Sequence, residues 1–461
     1  MALTASDVIS ILDAVVIDSA DYGAETYTCR YIEAEEQRHR LKTSYITSTV
    51  PSRWLPKTWD SLGLKVIELL NEVGVDWASV DCFDSNGDRG GVPWMQTTLA
   101  ITVYTIPVIN WSLLQTICDI HVMAKARVEI RVGKLERRGE GAVRSDHFTD
   151  QAFLPPGSEV SFNYTLGDFT SGTVGGIVEL FDSNGTCQKL CALTCRSYLP
   201  SPKSRSETDT DSRRTPLEQF GDIQCTYPST SLWARNIRGT IEQIKLLNAE
   251  IQDLEEDWYR SVRESNRDVI RDHLVYTKLK KDEYRKRLKQ IFEENISIGT
   301  VCAHSGSRVM ENHHLDWALV ELKGGRTQFI NPNVVRESIS FTRIKMPSDT
   351  LKPGSAVYKA KYPDFTEGNV NYTKSYLRYK DENDRVIQTT EWAVLPTPDN
   401  KQFCEPKNYG AWVVDRVRDE VVGVIFAMNP VTGLTYVTPI QEIFEDIERD
   451  TGFNVRLPIG N

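Results

Sequence analysis

The residues of this chain that could do covalent chemistry gather in a few places. His304 is followed by Ser305 and Ser307, and His313 and His314 precede Asp316. A hydroxyl beside an imidazole, with a carboxylate to hold that imidazole in one tautomer, is the equipment of acyl transfer. On a strand, His314 and Asp316 stand two apart and share a face. Ser305 and Ser307 read as loop residues, and the plain alternative for the histidines is the polar rim of a barrel. Cys187, Cys191 and Cys195 recur every four residues, but in what reads as a strand pair and not a helix. A zinc site would need a further ligand at suitable spacing, with only His304, His313 and His314 at hand. No metal and no cofactor is expected. Asp84-Ser85-Asn86-Gly87-Asp88 has the composition of a calcium loop, but its glycine is misplaced and no glutamate closes it. A tight turn is the expectation there.

The elements that must position such residues follow from pattern. Residues 1–150 alternate helix and strand. Leu62, Val66, Leu69, Leu70 and Val73 keep helical spacing up to Gly74, Thr97–Tyr104 reads as a strand, and Trp111–Met123 reads as a helix. In 126–132, Val128, Ile130 and Val132 alternate with Arg127, Glu129 and Arg131, the pattern of a half-buried strand. From about 155 short strands take over. Thr173–Phe181 and Gln188–Thr194 flank Asn184-Gly185, a signal for a primed hairpin turn. Residues 200–229, rich in Ser, Thr, Pro, Asp and Arg, read as a linker. Over 231–296, Ile237, Ile241, Ile244, Leu247, Ile251 and Leu254, then Ile270, Leu274, Leu288 and Ile291, follow three-and-four spacing on either side of Glu264-Ser265-Asn266. Two antiparallel helices with one apolar seam fit best. Trp233, Trp258 and Tyr284 add more apolar area than one seam needs.

After Gly299 strands resume, with six expected between Ala356 and Val437. Leu315–Leu322 reads as one strand and Gly368–Tyr379 as another. Thr438 is expected to cap a final helix over 438–451, with Pro439 at its first position and Ile440, Ile443, Phe444 and Ile447 on one face.

Composition bounds the function. Length 461 implies two or three domains, and Lys+Arg 54 against Asp+Glu 64 gives a formal charge of −10. That balance argues against a nucleic-acid partner, which wants a basic face. No basic flank with an apolar run opens the chain, and no apolar segment nears the ~20 residues needed to cross a bilayer. No membrane association is expected. Nine scattered cysteines and no signal sequence favour reduced thiols and a cytoplasmic location.

Taken in order, several segments resemble the trypsin-like, chymotrypsin-fold serine proteases of filamentous fungi, over roughly 172–458. The resemblance lies in Gly172-Thr173-Val174-Gly175-Gly176, Leu193-Thr194-Cys195-Arg196-Ser197, Gly299-Thr300-Val301 and Asp316-Trp317-Ala318-Leu319. It continues through Pro353-Gly354, Val357-Tyr358-Lys359, Thr366-Glu367-Gly368, Gly410-Ala411-Trp412-Val413 and Tyr436-Val437-Thr438-Pro439-Ile440. It implies an α+β multidomain protein: a small α/β domain (1–150), then a double β-barrel over 151–461. The first barrel would take about 155–200 and 297–345 and the second about 346–440, with the linker and helical hairpin inserted.

The resemblance also assigns roles, and here the chain departs from the family. Ser197 stands where the catalytic base is kept and Tyr409 where the nucleophile is kept, while Asp316 remains. Lys407, Asn408 and Gly410 surround Tyr409 in the oxyanion turn, Lys407 replacing a glycine that would take φ > 0 at little cost. A serine hydroxyl accepts no proton near neutrality, and a phenol with a pKa of about 10 is no substitute nucleophile. The chain therefore reads as a pseudoprotease acting as a binding or scaffold module. The implied partner is a peptide or protein at the former substrate cleft or at the hairpin. A serine-type peptidase with displaced residues and a structural remnant without ligand are the alternatives.

Overall fold

The computed structural model describes residues 15–19, 55–89, 92–105, 111–124, 126–137, 154–163, 169–199, 223–261, 263–293, 296–306, 308–323, 333–337, 340–348, 350–361, 365–381, 384–397 and 402–458. Ser307 and most of the expected linker lie outside these residues. The first part holds β1 (Val15–Ser19), α1 (Leu55–Glu72), β2 (Trp77–Arg89), β3 (Val92–Val103), α2 (Trp111–Ala124) and β4 (Arg127–Val132). Strands β1 and β3 flank β4 in parallel, and β2 pairs antiparallel with β3. Trp59, Leu62, Val66 and Leu70 of α1 and Leu113, Ile117 and Ile120 of α2 cover this sheet in a core of their own. The helical spacing read from the sequence is that core. Asp84–Asp88 is no turn: it continues β2, facing Thr97 to Pro93 of β3, and Asp84 Oδ1 accepts from the Thr97 hydroxyl at 2.8 Å. A cross-strand partner for each residue outweighs the turn propensity of Asn-Gly.

The rest is built on two closed barrels. The first uses β5 (Glu159–Asn163), β6 (Phe169–Phe181), β7 (Cys187–Thr194), β8 (Gln224–Thr226) and β9 (Ser297–His304). After the short pair β10 (Arg308–Met310) and β11 (His313–Leu315), β12 (Ala318–Leu322) completes it. The order β6-β5-β8-β9-β12-β7 closes through β6–β7. Strand β8 falls inside the stretch expected as linker; three residues are too few to show a period. The β6–β7 turn differs from the two-residue primed types: Asp182 N–H donates to Thr186 O at 3.1 Å around a three-residue loop. Gly185 alone takes a positive φ there, and Asp182 Oδ1 holds the loop by accepting from Asn184 and Thr186 N–H, both at 2.9 Å.

After the ribbon β13 (Val334–Glu337) and β14 (Ser340–Arg343) come β15 (Ala356–Lys359), β16 (Thr366–Val370), β17 (Ser375–Lys380), β18 (Val386–Pro396), β19 (Trp412–Asp415), β20 (Val421–Met428) and β21 (Thr435–Pro439). Gly368–Tyr379 is thus two strands, and seven replace the expected six. Six of them close a second barrel, β18-β16-β15-β19-β20-β21, through β18–β21. The seventh, β17, leaves the barrel and pairs with β2. The N-terminal sheet is thereby continuous with the second barrel, and one apolar cluster spans both barrels.

Helices α3 (Thr230–Arg260) and α4 (Glu264–Glu293) stand between β8 and β9. Leu247, Ile251 and Ile291 are buried in their seam, while Tyr259, Val269, Tyr276 and Leu279 face outward. Helix α5 (Ile440–Thr451) buries Ile440, Ile443, Phe444 and Ile447. Its N-cap is Pro439 and not Thr438; the Thr438 hydroxyl donates to His314 O at 2.8 Å instead. Strand β22 (Asn454–Arg456) then joins the first barrel beside β6. No helix among the described residues is long and apolar enough to cross a membrane.

Candidate functional site

Strands β7 and β12 pair with Thr194 opposite Ala318, so the residues just beyond each strand end meet. Cys195 leads into a single 3₁₀ turn, Arg196–Tyr198. Asp316 sits with Trp317 in the break between β11 and β12, which splits the strand expected over 315–322. Ser197 N–H donates to Asp316 Oδ1 at 2.7 Å. The carboxylate thus takes a backbone amide where an imidazole would have to stand. Ser197 Oγ is buried without a hydrogen-bond partner.

The other barrel supplies the turn between β18 and β19. Pro406–Asn408 forms a 3₁₀ turn after Glu405, and Lys407 Nζ pairs with Glu405 at 2.5 Å. Lys407 takes no positive φ, as its side chain implies, and Gly410 carries one, at 87°. A Cβ on Gly410 would stand 2.4 Å from Thr173 O, so only glycine lets this turn lie against the first barrel. Thr173 Oγ1 donates to Lys407 O at 2.6 Å, binding the two barrels together. Asn408 is buried, its Oδ1 accepting from Lys359 Nζ at 2.9 Å.

Four successive amides of this turn, those of 408–411, point inward. Asn408 N–H donates to Glu405 O (2.8 Å), Tyr409 N–H to Pro406 O (3.4 Å), Gly410 N–H to Ile425 O (2.7 Å) and Ala411 N–H to Asn408 O (3.0 Å). An oxyanion hole requires such amides aimed at the substrate carbonyl. Tyr409 is fully buried in the apolar cluster, and burial pushes its phenol well above the ordinary range. Its ring is core between the barrels and does not line the cleft described below.

The histidines are engaged elsewhere. His313 Nδ1 lies 3.0 Å from Glu391 Oε2. His304 Nδ1 accepts from Gly306 N–H at 2.9 Å, and burial lowers its pKa to about 4, helped by Arg196 and Arg308. Ser305 Oγ donates toward Leu315 O at 3.1 Å and accepts from Trp317 N–H at 3.1 Å, which makes it a backbone staple.

His314 receives a residue that sequence reasoning missed. Beyond β4 the chain runs extended across the junction, and Glu136 exchanges both backbone hydrogen bonds with Met428, at 2.9 and 3.0 Å. Arg137 Nη2 then lies 2.8 Å from His314 Nε2, and its guanidinium carbon is 3.9 Å from the Tyr379 ring centroid. Arginine has only donors, so Nε2 accepts and the proton sits on Nδ1. Burial, followed by the Arg137 charge, holds His314 neutral, its pKa well below the usual value. Its base lone pair is occupied. No motif marks Arg137, because its role comes from a crossing 177 residues away in sequence.

Ser197, Asp316, His314 and Arg137 line one cleft of about 970 Å³. Its other walls come from the N-terminal segment (Asp76, Tyr104, Lys134), from the end of β17 (Arg378, Tyr379, Lys380) and from Val386. No cluster of His, Cys, Asp and Glu able to hold a metal ion occurs among the described residues.

A scan against protein-family models finds no match, and neither does a search of curated proteins. Among solved structures, a glutamic acid-specific serine protease aligns over 66% of this chain and 100% of its own, at 9% identity and a TM-score of 0.33. Thermobifida fusca protease A does so over the same shares, at 10% identity and 0.33. Cellulomonas bogoriensis chymotrypsin aligns over 36% of this chain and 78% of its own, at 17% identity and 0.26. Likenesses of this size add nothing to the two closed barrels described above.

Proposed function

We propose that this chain is a non-hydrolytic, protease-like double barrel whose cleft at the barrel junction binds a peptide or protein segment. The reading rests above all on the turn at 405–411, where the amides of 408–411 are spent within the fold. Three further observations support it. Asp316 accepts from Ser197 N–H, Tyr409 is packed as core, and the His314 lone pair is taken by Arg137. Acyl transfer needs a nucleophile, a base with a free lone pair and donors for the oxyanion. What persists is a concave site of a size suited to a bound segment.

The test is direct. The purified chain is expected to leave peptide and ester substrates intact and to take no label from a fluorophosphonate probe, which reports an activated serine. Labelling lost on Ser305→Ala would overturn the reading in favour of a displaced active site. The double variant Ser197→His/Tyr409→Ser is expected to remain inactive, because the amides of 408–411 still face inward. Adding Lys407→Gly is expected to give the first measurable activity.

A further inference from the structure

The charges of the cleft are unbalanced in a specific way. Five cations line it, Lys134, Arg137, Arg196, Arg378 and Lys380, against four carboxylates, Asp76, Glu136, Asp316 and Asp381. Three of the carboxylates are engaged. Asp381 pairs with Arg385 at 2.7 Å, Asp76 with Arg378 at 3.0 Å, and Asp316 takes Ser197 N–H. Glu136 is the neighbour of Arg137 in an extended segment, where successive side chains point to opposite sides. Its charge bears on Cys404 and Tyr409, whereas Arg137 faces His314 and Tyr379.

Arg137 is therefore a half-buried guanidinium held by a neutral imidazole and an aromatic face. Neither partner cancels its charge, and among the described residues no carboxylate forms an ion pair with it. A partly desolvated charge without a counter-ion is costly, and a fork fixed by stacking and one hydrogen bond is pre-organised for an oxyanion. His314, 2% exposed, lines the same cleft with Nδ1 lacking a partner.

The neighbouring sheet edge points to the body that would carry the oxyanion. Strand β17 pairs with β2 only at Tyr376 and Leu377. From Arg378 to Lys380 it has β18 on one side and, among the described residues, no strand on the other. Those three residues line the cleft. An edge without a strand partner, where only the Tyr104 hydroxyl reaches in to Arg378 O at 2.7 Å, suits an extended peptide beside a cationic pocket.

Resting on the binding role argued above, we propose that the cleft takes an acidic peptide in extended form, with Arg137 receiving a side-chain carboxylate and Lys380 and Lys134 at the rim. Tyr104, Tyr379 and Val386 supply the apolar wall for the stem of that side chain.

The experiment uses the full chain and two fluorescein-labelled decapeptides, one alternating Glu with Thr and its counterpart alternating Gln with Thr, read by fluorescence anisotropy. The Glu peptide is expected to bind about tenfold or more tightly than the Gln peptide, with an affinity that falls as salt rises. Arg137→Ala is expected to erase that preference, and Arg137→Lys to keep part of it. Because Arg137→Ala could also unseat His314, Lys380→Ala is the second variant: its side chain is 67% exposed, and a several-fold loss for the Glu peptide alone is expected. Equal affinity for both peptides, or a preference that survives Arg137→Ala, would overturn the proposal. Saturable, Arg137-dependent binding of free glutarate without peptide binding would also overturn it, assigning the site to a small dicarboxylate. Cleavage of the bound Glu peptide would instead sink the non-hydrolytic reading and leave the anion site standing.

Discussion

Two buried polar clusters lie where the N-terminal segment meets the barrels, and they are built in opposite ways. In the seam between β2 and the second barrel, Asp81 accepts from Ser79 Oγ at 2.7 Å and from Tyr436 Oη at 3.0 Å. Asn429 Nδ2 donates to Ser79 Oγ and Thr102 Oγ1, and its Oδ1 takes Val431 N–H. In the cleft, Ser197 Oγ, His314 Nδ1 and Arg137 Nε lack partners. A satisfied network rigidifies a junction, whereas an unsatisfied one costs stability unless something arrives to complete it. The seam is complete within the chain, and the cleft is the junction where a bound segment would complete the set under the proposed reading.

The largest expected effect breaks the seam. Asn429→Ala removes the donor to the Ser79 and Thr102 hydroxyl oxygens and the acceptor of the Val431 amide, and is expected to cost about 3 kcal/mol in urea denaturation. Ser197→Ala removes a hydroxyl that has no partner to lose, and is expected to be neutral within about 0.5 kcal/mol or slightly stabilising. Equal losses from the two substitutions would dissolve the distinction between the clusters.

The second effect is a difference in sign with pH. Burial raises Asp81 to about 6 from its ordinary 3.8, so the unfolded chain releases that proton first. The stability Asp81 contributes is full below about pH 4 and is lost as pH rises through 6. Beside the cleft, behind Gly306, burial holds the His304 imidazole at about 4 in place of 6.5, so the unfolded chain takes up that proton first. Its contribution is intact above pH 6.5 and is lost as pH falls toward 4; the depressed His314 acts in the same direction. Urea melts from pH 3.5 to 7.5 should therefore show Asp81→Asn gaining on the parent as pH rises. His304→Asn should gain on it as pH falls. Each difference is expected to be on the order of 2 to 3 kcal/mol across the window. Parallel pH profiles for both variants would remove the contrast.

What the sequence made legible divides along the same line. Local periodicity placed α1, α2, the hairpin helices and α5, since burying a stripe at three-and-four spacing needs no knowledge of partners. Most second-barrel strands were legible for a similar reason, as runs of Val, Ile, Phe and Tyr buried on both faces. Strand β8 was hidden by its three residues, and Asp84–Asp88 misled because cross-strand pairing overrode a local turn signal. At the site, order along the chain brought Ser197 and Asp316 into contact, but it said nothing of Arg137 or of the inward-turned amides. Those depend on the path of a crossing segment and on a 3₁₀ turn in place of a φ > 0 residue. Sequence pattern reads elements well and long-range completions of a site poorly.

The smallest expected effect concerns the hairpin, a third region that tests whether an apolar surface is answered in the way the seam's polar groups are. Tyr276 and Leu279 of α4 are 61% and 66% exposed, three apart and on one face. Their substitution removes little buried area within this chain, and surface changes of this kind stay within about 0.5 kcal/mol. The polar contacts beside them, the ion pair of Lys278 with Glu255 at 2.8 Å and the approach of His273 Nε2 to Glu250 at 3.2 Å, are exposed and add little more. Tyr276→Ser/Leu279→Gln is therefore expected to leave the melting temperature within about 1 °C of the parent at low protein concentration. At high concentration the two should still coincide if this face meets only water. A parent whose melting temperature climbs with concentration while the variant's stays flat would show that a second copy covers the stripe, because only association makes stability depend on concentration. In that case the outward face of α4 joins the seam as a completed surface, and the cleft stands alone as the incomplete one.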